Sequence, residues 1–249
     1  MNFPIFRSSL RVLLPAALLL ASCSKKDEPT PPAAPDQGRV NFYHAAASAN
    51  VGVKFLADVS EKANLTYGQS SGYQSVAVGA RVLSVNVAST GTVVPTLTAA
   101  LTVEKDKNYS YFAYANTLTT QAALVTPDDL TVVPGKAKIR LVNLGQGSAN
   151  PVKLSTTVAG VADIANTEVQ FGFASQFVEI LPGAYNVAVT TGTPSTTITN
   201  GNVGDGSGVG TAANKTYEAG KIYTVILRGI TGTTVDASLA PKVVIVQNN

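Results

Sequence analysis

The chain has 249 residues, a formal charge of +3 and only 13% charged residues. With no Lys/Arg cluster in the part that folds, it offers nucleic acid no electrostatic footprint. One cysteine and one histidine exclude a disulfide framework and leave too few soft ligands for zinc.

The N-terminus reads MNFPIFRSSLRVLLPAALLLASC. Arg7 and Arg11 form a positive start, and Val12 to Leu20 is an apolar run too short to span a bilayer. Leu20-Ala21-Ser22-Cys23 resembles the bacterial lipobox, in which a peptidase cuts before a cysteine that is then diacylated. Residues 1–22 therefore read as a lipoprotein signal peptide. Cys23 reads as the lipidation site, with the membrane as partner through that anchor. Lys26-Asp27-Glu28 resembles the surface-export signal of Bacteroidota lipoproteins, and it equally fits a solvated charge cluster. Pro29, Pro31, Pro32 and Pro35 make residues 23–37 an extended tether of roughly 40 Å. Loss of Arg7 and Arg11 with the leader brings the mature chain close to neutrality.

From Gly38 onward the sequence occurs twice. RVNFYH (Arg39 to His44) matches KIRLVN (Lys138 to Asn143), and each is followed by Ser-Ala-Asn. Tyr67 to Val87 matches Phe171 to Thr191 at a constant offset, and Val103 to Ala115 matches Tyr217 to Gly229. The second copy carries an insertion, TNGNVGDGSGVGTAANK. Two domains follow, residues 38–130 and 131–249, joined through the turn-rich segment around Pro127 to Lys136.

Hydrophobicity alternates with period two, and no segment has a helical period. Strands are expected near 39–44, 51–56, 73–78, 80–88, 96–103, 109–115 and 121–126. In the second copy they are expected near 138–143, 152–156, 174–180, 184–190, 195–199, 221–228 and 242–247. Short strands punctuated by Gly72, Gly79, Gly91, Gly183 and Gly192 indicate an all-β chain of two tandem antiparallel β-sandwiches.

The run Ala122 to Leu154, together with RVNFYHAAASANVGVKFL in the first copy, resembles the tandem domain of unknown function 4397 of secreted and lipid-anchored bacterial proteins. Here Ser-Ala-Asn stands where that family tends to have Asp-Ala-Pro after the Ser. The resemblance implies a sandwich of immunoglobulin or transthyretin type and no established activity.

His44, with Ser48 four residues on, is the natural place to look for a catalytic base. Its counterpart in the repeat is Asn143, which shares hydrogen-bonding ability but not basicity. The pair therefore reads as structural polar residues that finish a strand, and no catalytic residue is expected. Asp128-Asp129 and the Asn200–Asp205 loop lack the ligand spacing for calcium, so no metal or other cofactor is expected. In the aromatic run Tyr109 to Tyr114, Tyr109 and Tyr111 alternate onto the core face. Phe112 and Tyr114 fall on the opposite, solvent-facing side, a candidate ligand surface. The expected function is that of a non-catalytic, lipid-anchored outer-membrane protein, facing the periplasm or the cell surface, used in adhesion, scaffolding or binding of a protein or glycan. The alternative is a carbohydrate-binding accessory module.

Overall fold

The computed structural model describes residues 35–156, 162–205, 207, 209–232 and 235–249. The expected signal peptide, Cys23 and most of the tether lie outside the described residues.

In the first copy the strands are β1 (Gln37–Ala45), β2 (Val53–Ala57), β3 (Ser60–Leu65), β4 (Ser70–Ala77), β5 (Gly79–Val87), β6 (Ala99–Val103), β7 (Asn108–Ala115) and β8 (Gln121–Asp128). They form a front sheet, β4-β1-β7-β8, and a back sheet, β3-β2-β5-β6. Period-two alternation sends Val40, Phe42, Tyr109 and Tyr111 from the front sheet into one core with Phe55, Leu83 and Val85 from the back sheet. Phe42, Phe55 and Tyr111 meet there as tilted and edge-on pairs with ring centroids 5.4 to 5.9 Å apart. Truncating Phe42, which is fully buried, would cost about 3–5 kcal/mol.

The second copy repeats this plan with β9 (Ala137–Gln146), β10 (Lys153–Thr156), β11 (Ala162–Asp163), β12 (Phe173–Ala174), β13 (Val178–Ile180), β14 (Gly183–Tyr185), β15 (Val187–Thr191), β16 (Thr196–Asn202), β17 (Lys215–Tyr217), β18 (Ile222–Ile230) and β19 (Lys242–Gln247). Its front sheet runs β12-β9-β18-β19, with β13 also paired to β9, and its back sheet runs β11-β10-β15-β16. Ile139, Leu141, Val225 and Leu227 from the front pack on Leu154, Val187 and Val189 from the back.

The all-β sandwich expectation holds, and five details differ from it. The sheets are not purely antiparallel: β1 pairs in parallel with β7, and β9 with β18. Each such pair is joined through the opposite sheet, which supplies the long crossover that parallel neighbours need. This strand order is not the immunoglobulin arrangement. Residues 96–98 are not strand, because Pro95 opens a 3-10 turn over Pro95–Leu97 before β6. The strand expected near 184–190 is divided at Asn186 into β14 and β15, where β5 is continuous. The inserted segment enters at that break: the Asn186 side chain accepts from the Gly204 amide at 3.1 Å and donates to Asn202 Oδ1 at 2.7 Å. Lastly, β8 extends past Thr126, so that Pro127 lies opposite Tyr109 and Asp128 opposite Asn108. Proline is tolerated there because β8 is an edge strand.

Residues 35–249 form one compact unit. The two front sheets pack outer face to outer face through a third apolar cluster. Tyr43, Ala45, Phe112 and Tyr114 of the first copy meet Val142, Leu144 and Ile226 of the second.

Candidate functional site

His44 ends β1 almost completely buried. Its Nδ1 accepts a hydrogen bond from the Ala46 amide at 3.3 Å, and Nε2 lies 2.9 Å from the Val51 carbonyl oxygen. That pattern requires the neutral Nε2–H tautomer. Burial lowers the pKa; the Val51 bond opposes the shift and the nearby Arg228 adds to it. Both ring nitrogens are thus committed to the backbone. Ser48 does not meet the ring: its hydroxyl donates to the Thr120 carbonyl at 3.2 Å and accepts from Gln121 Nε2 at 3.0 Å. Asn143 sits at the same place in the second copy, and its Oδ1 accepts from the Gly145 amide at 3.4 Å. Each side chain therefore bonds the backbone two residues on. β1 ends one residue after His44, whereas β9 runs on to Gln146, so Asn143 lies inside its strand rather than at its end.

Phe112 and Tyr114 are not exposed. They are 3% and 8% accessible, covered by the second sandwich. Phe112 packs on Tyr43 at 5.9 Å, and Tyr114 meets Phe171 edge-on at 5.7 Å. Alternation placed them correctly on the face opposite the core. It could not show that this face is itself buried, because the covering surface belongs to the second sandwich, at Val142, Leu144, Phe171 and Ile226. The aromatic platform that the carbohydrate reading needed is therefore part of the seam between sandwiches.

Below these rings lies a polar network that the sequence reading missed. Arg140 Nη1 and Asp128 Oδ1 form an ion pair at 2.7 Å with both side chains almost wholly inaccessible. Ser110 and Tyr73 donate to Asp128 Oδ2 at 2.6 and 2.5 Å. Arg140 donates further to Ser110 Oγ and Thr224 Oγ1, and its guanidinium lies 4.4 Å from the Phe177 ring centroid. Thr224 and Asn248 close the circuit back to Tyr73. A buried ion pair holds its place only when its remaining lone pairs and protons are satisfied. Here both sandwiches supply the satisfying groups, so the network fixes their relative register. A signal was available: Lys138 and Arg140 put two charges on the face of an otherwise apolar strand opposite the core.

The network and the rings obey the repeat. Asn41, Ser110 and Asp128 correspond to Arg140, Thr224 and Asn248. Contacts join positions of similar height on the strands, so the two front sheets run in the same direction. The chain enters at the start of β1, and the turns that follow β1, β7, β9 and β18 all lie at the opposite end. There, a cleft of about 590 Å³ opens in the second sandwich. It is lined by Ser148, Thr191, Thr197 and Thr231 with Ile198 and Pro241, and the Ser148 hydroxyl is buried without a hydrogen-bond partner. One wall is β16, which begins the segment that lengthens the second copy. A cleft of this size and hydroxyl lining can hold a small polar ligand or a peptide segment.

Among the described residues no group of three His, Cys, Asp or Glu side chains could hold a metal ion, and no helix is long and apolar enough to cross a membrane. Asp129 is held by Lys138, which bonds it at 2.5 Å and draws its pKa down to about 2.

No curated protein matches the chain. The family model described as Domain of unknown function (DUF4397) matches residues 33–155. That stretch takes in the first sandwich with β9 and nearly all of β10, and it supports a DUF4397-like domain over this part of the chain.

Proposed function

We propose that the chain is a non-catalytic, lipid-anchored protein of the outer membrane whose two sandwiches act as one rigid body for adhesion, scaffolding or partner binding. The observation that carries this reading is the seam. The Arg140–Asp128 network and the ring cluster fix both sandwiches with the same polarity. Acylation at Cys23 would place the anchor at the end where the chain enters the body. The loops of both copies and the Ser148 cleft lie at the end opposite that chain entry.

The reading also accounts for His44, whose nitrogens serve the backbone rather than a substrate. Metabolic labelling with palmitate and detergent-phase partitioning test the anchor. The wild-type chain is expected in the detergent phase, and Cys23→Ala in the aqueous phase. Protease shaving of intact cells then reports the leaflet: cleavage means the cell surface, and protection means the periplasmic side. A photo-crosslinker at Ala149, beside the cleft, should trap a partner on those cells. Continued detergent partitioning of Cys23→Ala, or no adduct from any position on the loop-bearing end, would overturn the corresponding part of the proposal.

A further inference from the structure

We infer that Arg228, Lys242 and Tyr67 form a binding site for an oxyanion, a phosphate or carboxylate group, at the seam between the two sandwiches. The inference goes beyond the role proposed above and does not depend on the lipid anchor.

Arg228 lies on β18 with its side chain on the seam face, like Ile226, and is 7% accessible. Unlike Arg140, it has no carboxylate within ion-pair distance among the described residues. Its Nε and Nη1 are buried without a hydrogen-bond partner, and so is the hydroxyl of Tyr67, whose ring lies under the guanidinium at 4.4 Å. Lys242 stands directly opposite Arg228 in the β18–β19 register. It adds a second positive charge, with Nζ held by the Ser238 carbonyl at 3.0 Å. The other titratable groups that feel this charge are Tyr43, His44 and Tyr67 itself; none supplies a negative charge. Crowding of positive charge shows in Lys242 itself, whose pKa is lowered by burial and by Arg228.

Buried guanidinium N–H groups without acceptors are costly, and a buried cation ordinarily keeps a counter-charge. Stacking on Tyr67 offsets part of this cost but satisfies no N–H. Packing does not require the charge either. The repeat-related residue is Tyr114, a neutral side chain that packs on Phe171 and Gly172 as Arg228 packs on Tyr67 and Gly68. The second copy therefore places a cation where a neutral ring suffices for packing, and leaves its Nε and Nη1 without a partner among the described residues. An oxyanion accepts charge-assisted bonds from Arg228 and Lys242 and a hydrogen bond from Tyr67, satisfying the three at once.

The test uses the full mature chain, kept unlipidated by Cys23→Ala. Its melting temperature is followed by calorimetry in increasing inorganic phosphate, and separately in acetate, against chloride at matched ionic strength. A saturable rise with either anion is expected, and the two arms tell a phosphate preference from a carboxylate preference. Arg228→Tyr, which copies Tyr114, should lose the saturable component. Tyr67→Phe should weaken apparent affinity about fivefold, the loss of one hydrogen bond. A wild-type chain that does not respond to either anion overturns the site, as does an equal response in Arg228→Tyr. If Arg228→Tyr does not fold, unchanged affinity in both Tyr67→Phe and Lys242→Gln has the same consequence.

Discussion

The guanidinium of Arg228 lies 4.4 Å from the ring centroid of Tyr67, across the seam between the two copies. The repeat-related pair, Tyr114 and Phe171, meets edge-on at 5.7 Å. Each contact crosses from β7 or β18 of one copy to the aromatic-glycine loop of the other. The seam is thus self-complementary, in the manner of a two-fold dimer interface drawn into one chain. The two copies then diverged unequally: one contact is neutral and the other carries a charge.

The glycines of those loops are required by backbone and by space. Gly68 has φ +89° and Gly172 φ +82°. A Cβ at Gly68 would fall 2.7 Å from Arg228 Nη2, and one at Gly172 would fall 2.9 Å from Tyr114 Oη. Gly68→Ala and Gly172→Ala should each cost about 1–3 kcal/mol, read as a lower urea midpoint. An unchanged midpoint in both would mean that the loops do not seat the seam.

Removing one member of the buried ion pair leaves the other charged and unsolvated. Arg140→Met should therefore cost about 3–5 kcal/mol in chemical denaturation. Adding Asp128→Asn should recover part of that loss, because the stranded carboxylate is gone. A double variant no more stable than Arg140→Met would show that the cost comes from lost packing on Phe177 instead.

His44 gives the fold a pH dependence whose sign follows from its lowered pKa. The unfolded chain takes up a proton near 6.5 while the folded chain resists. Stability is therefore complete above that value and declines as pH falls from about 7 toward the folded pKa. His44→Asn, which copies Asn143, should remove this slope in the weakly acidic range and leave the carboxylate-dependent loss at lower pH. Melting temperatures at intervals from pH 7 to pH 5 decide it; a wild-type curve as flat as the variant's would be the contrary result.

Phe112→Ala removes a ring that both copies enclose. The expected loss is about 3–5 kcal/mol. It should fall on the coupling between sandwiches, so that one calorimetric transition separates into two. A single transition shifted to lower temperature would mean that the polar network alone keeps the copies coupled.

Much of the architecture was legible in the chain. Alternation marked Val40, Phe42, Tyr109 and Tyr111 as core, and the repeat marked two similar domains, because period-two burial is a local property of a strand. Parallel pairing of β1 with β7 was not legible, since pairing direction depends on how the crossover closes rather than on either strand. The break at Asn186 was hidden for a related reason: Ala184 to Thr190 alternates well, and the interruption comes from a side chain that bonds the inserted segment.

The sequence by itself determined the strand content and the duplication, because these rest on short-range periodicity and on comparison of one copy with the other. Only the tertiary structure decided that the face carrying Phe112 and Tyr114 is covered, that Arg140 finds Asp128, and that Arg228 finds no carboxylate among the described residues. A side chain's face is set by its own strand. What meets that face is set by the other sandwich, brought there by a chain reversal that no local pattern encodes.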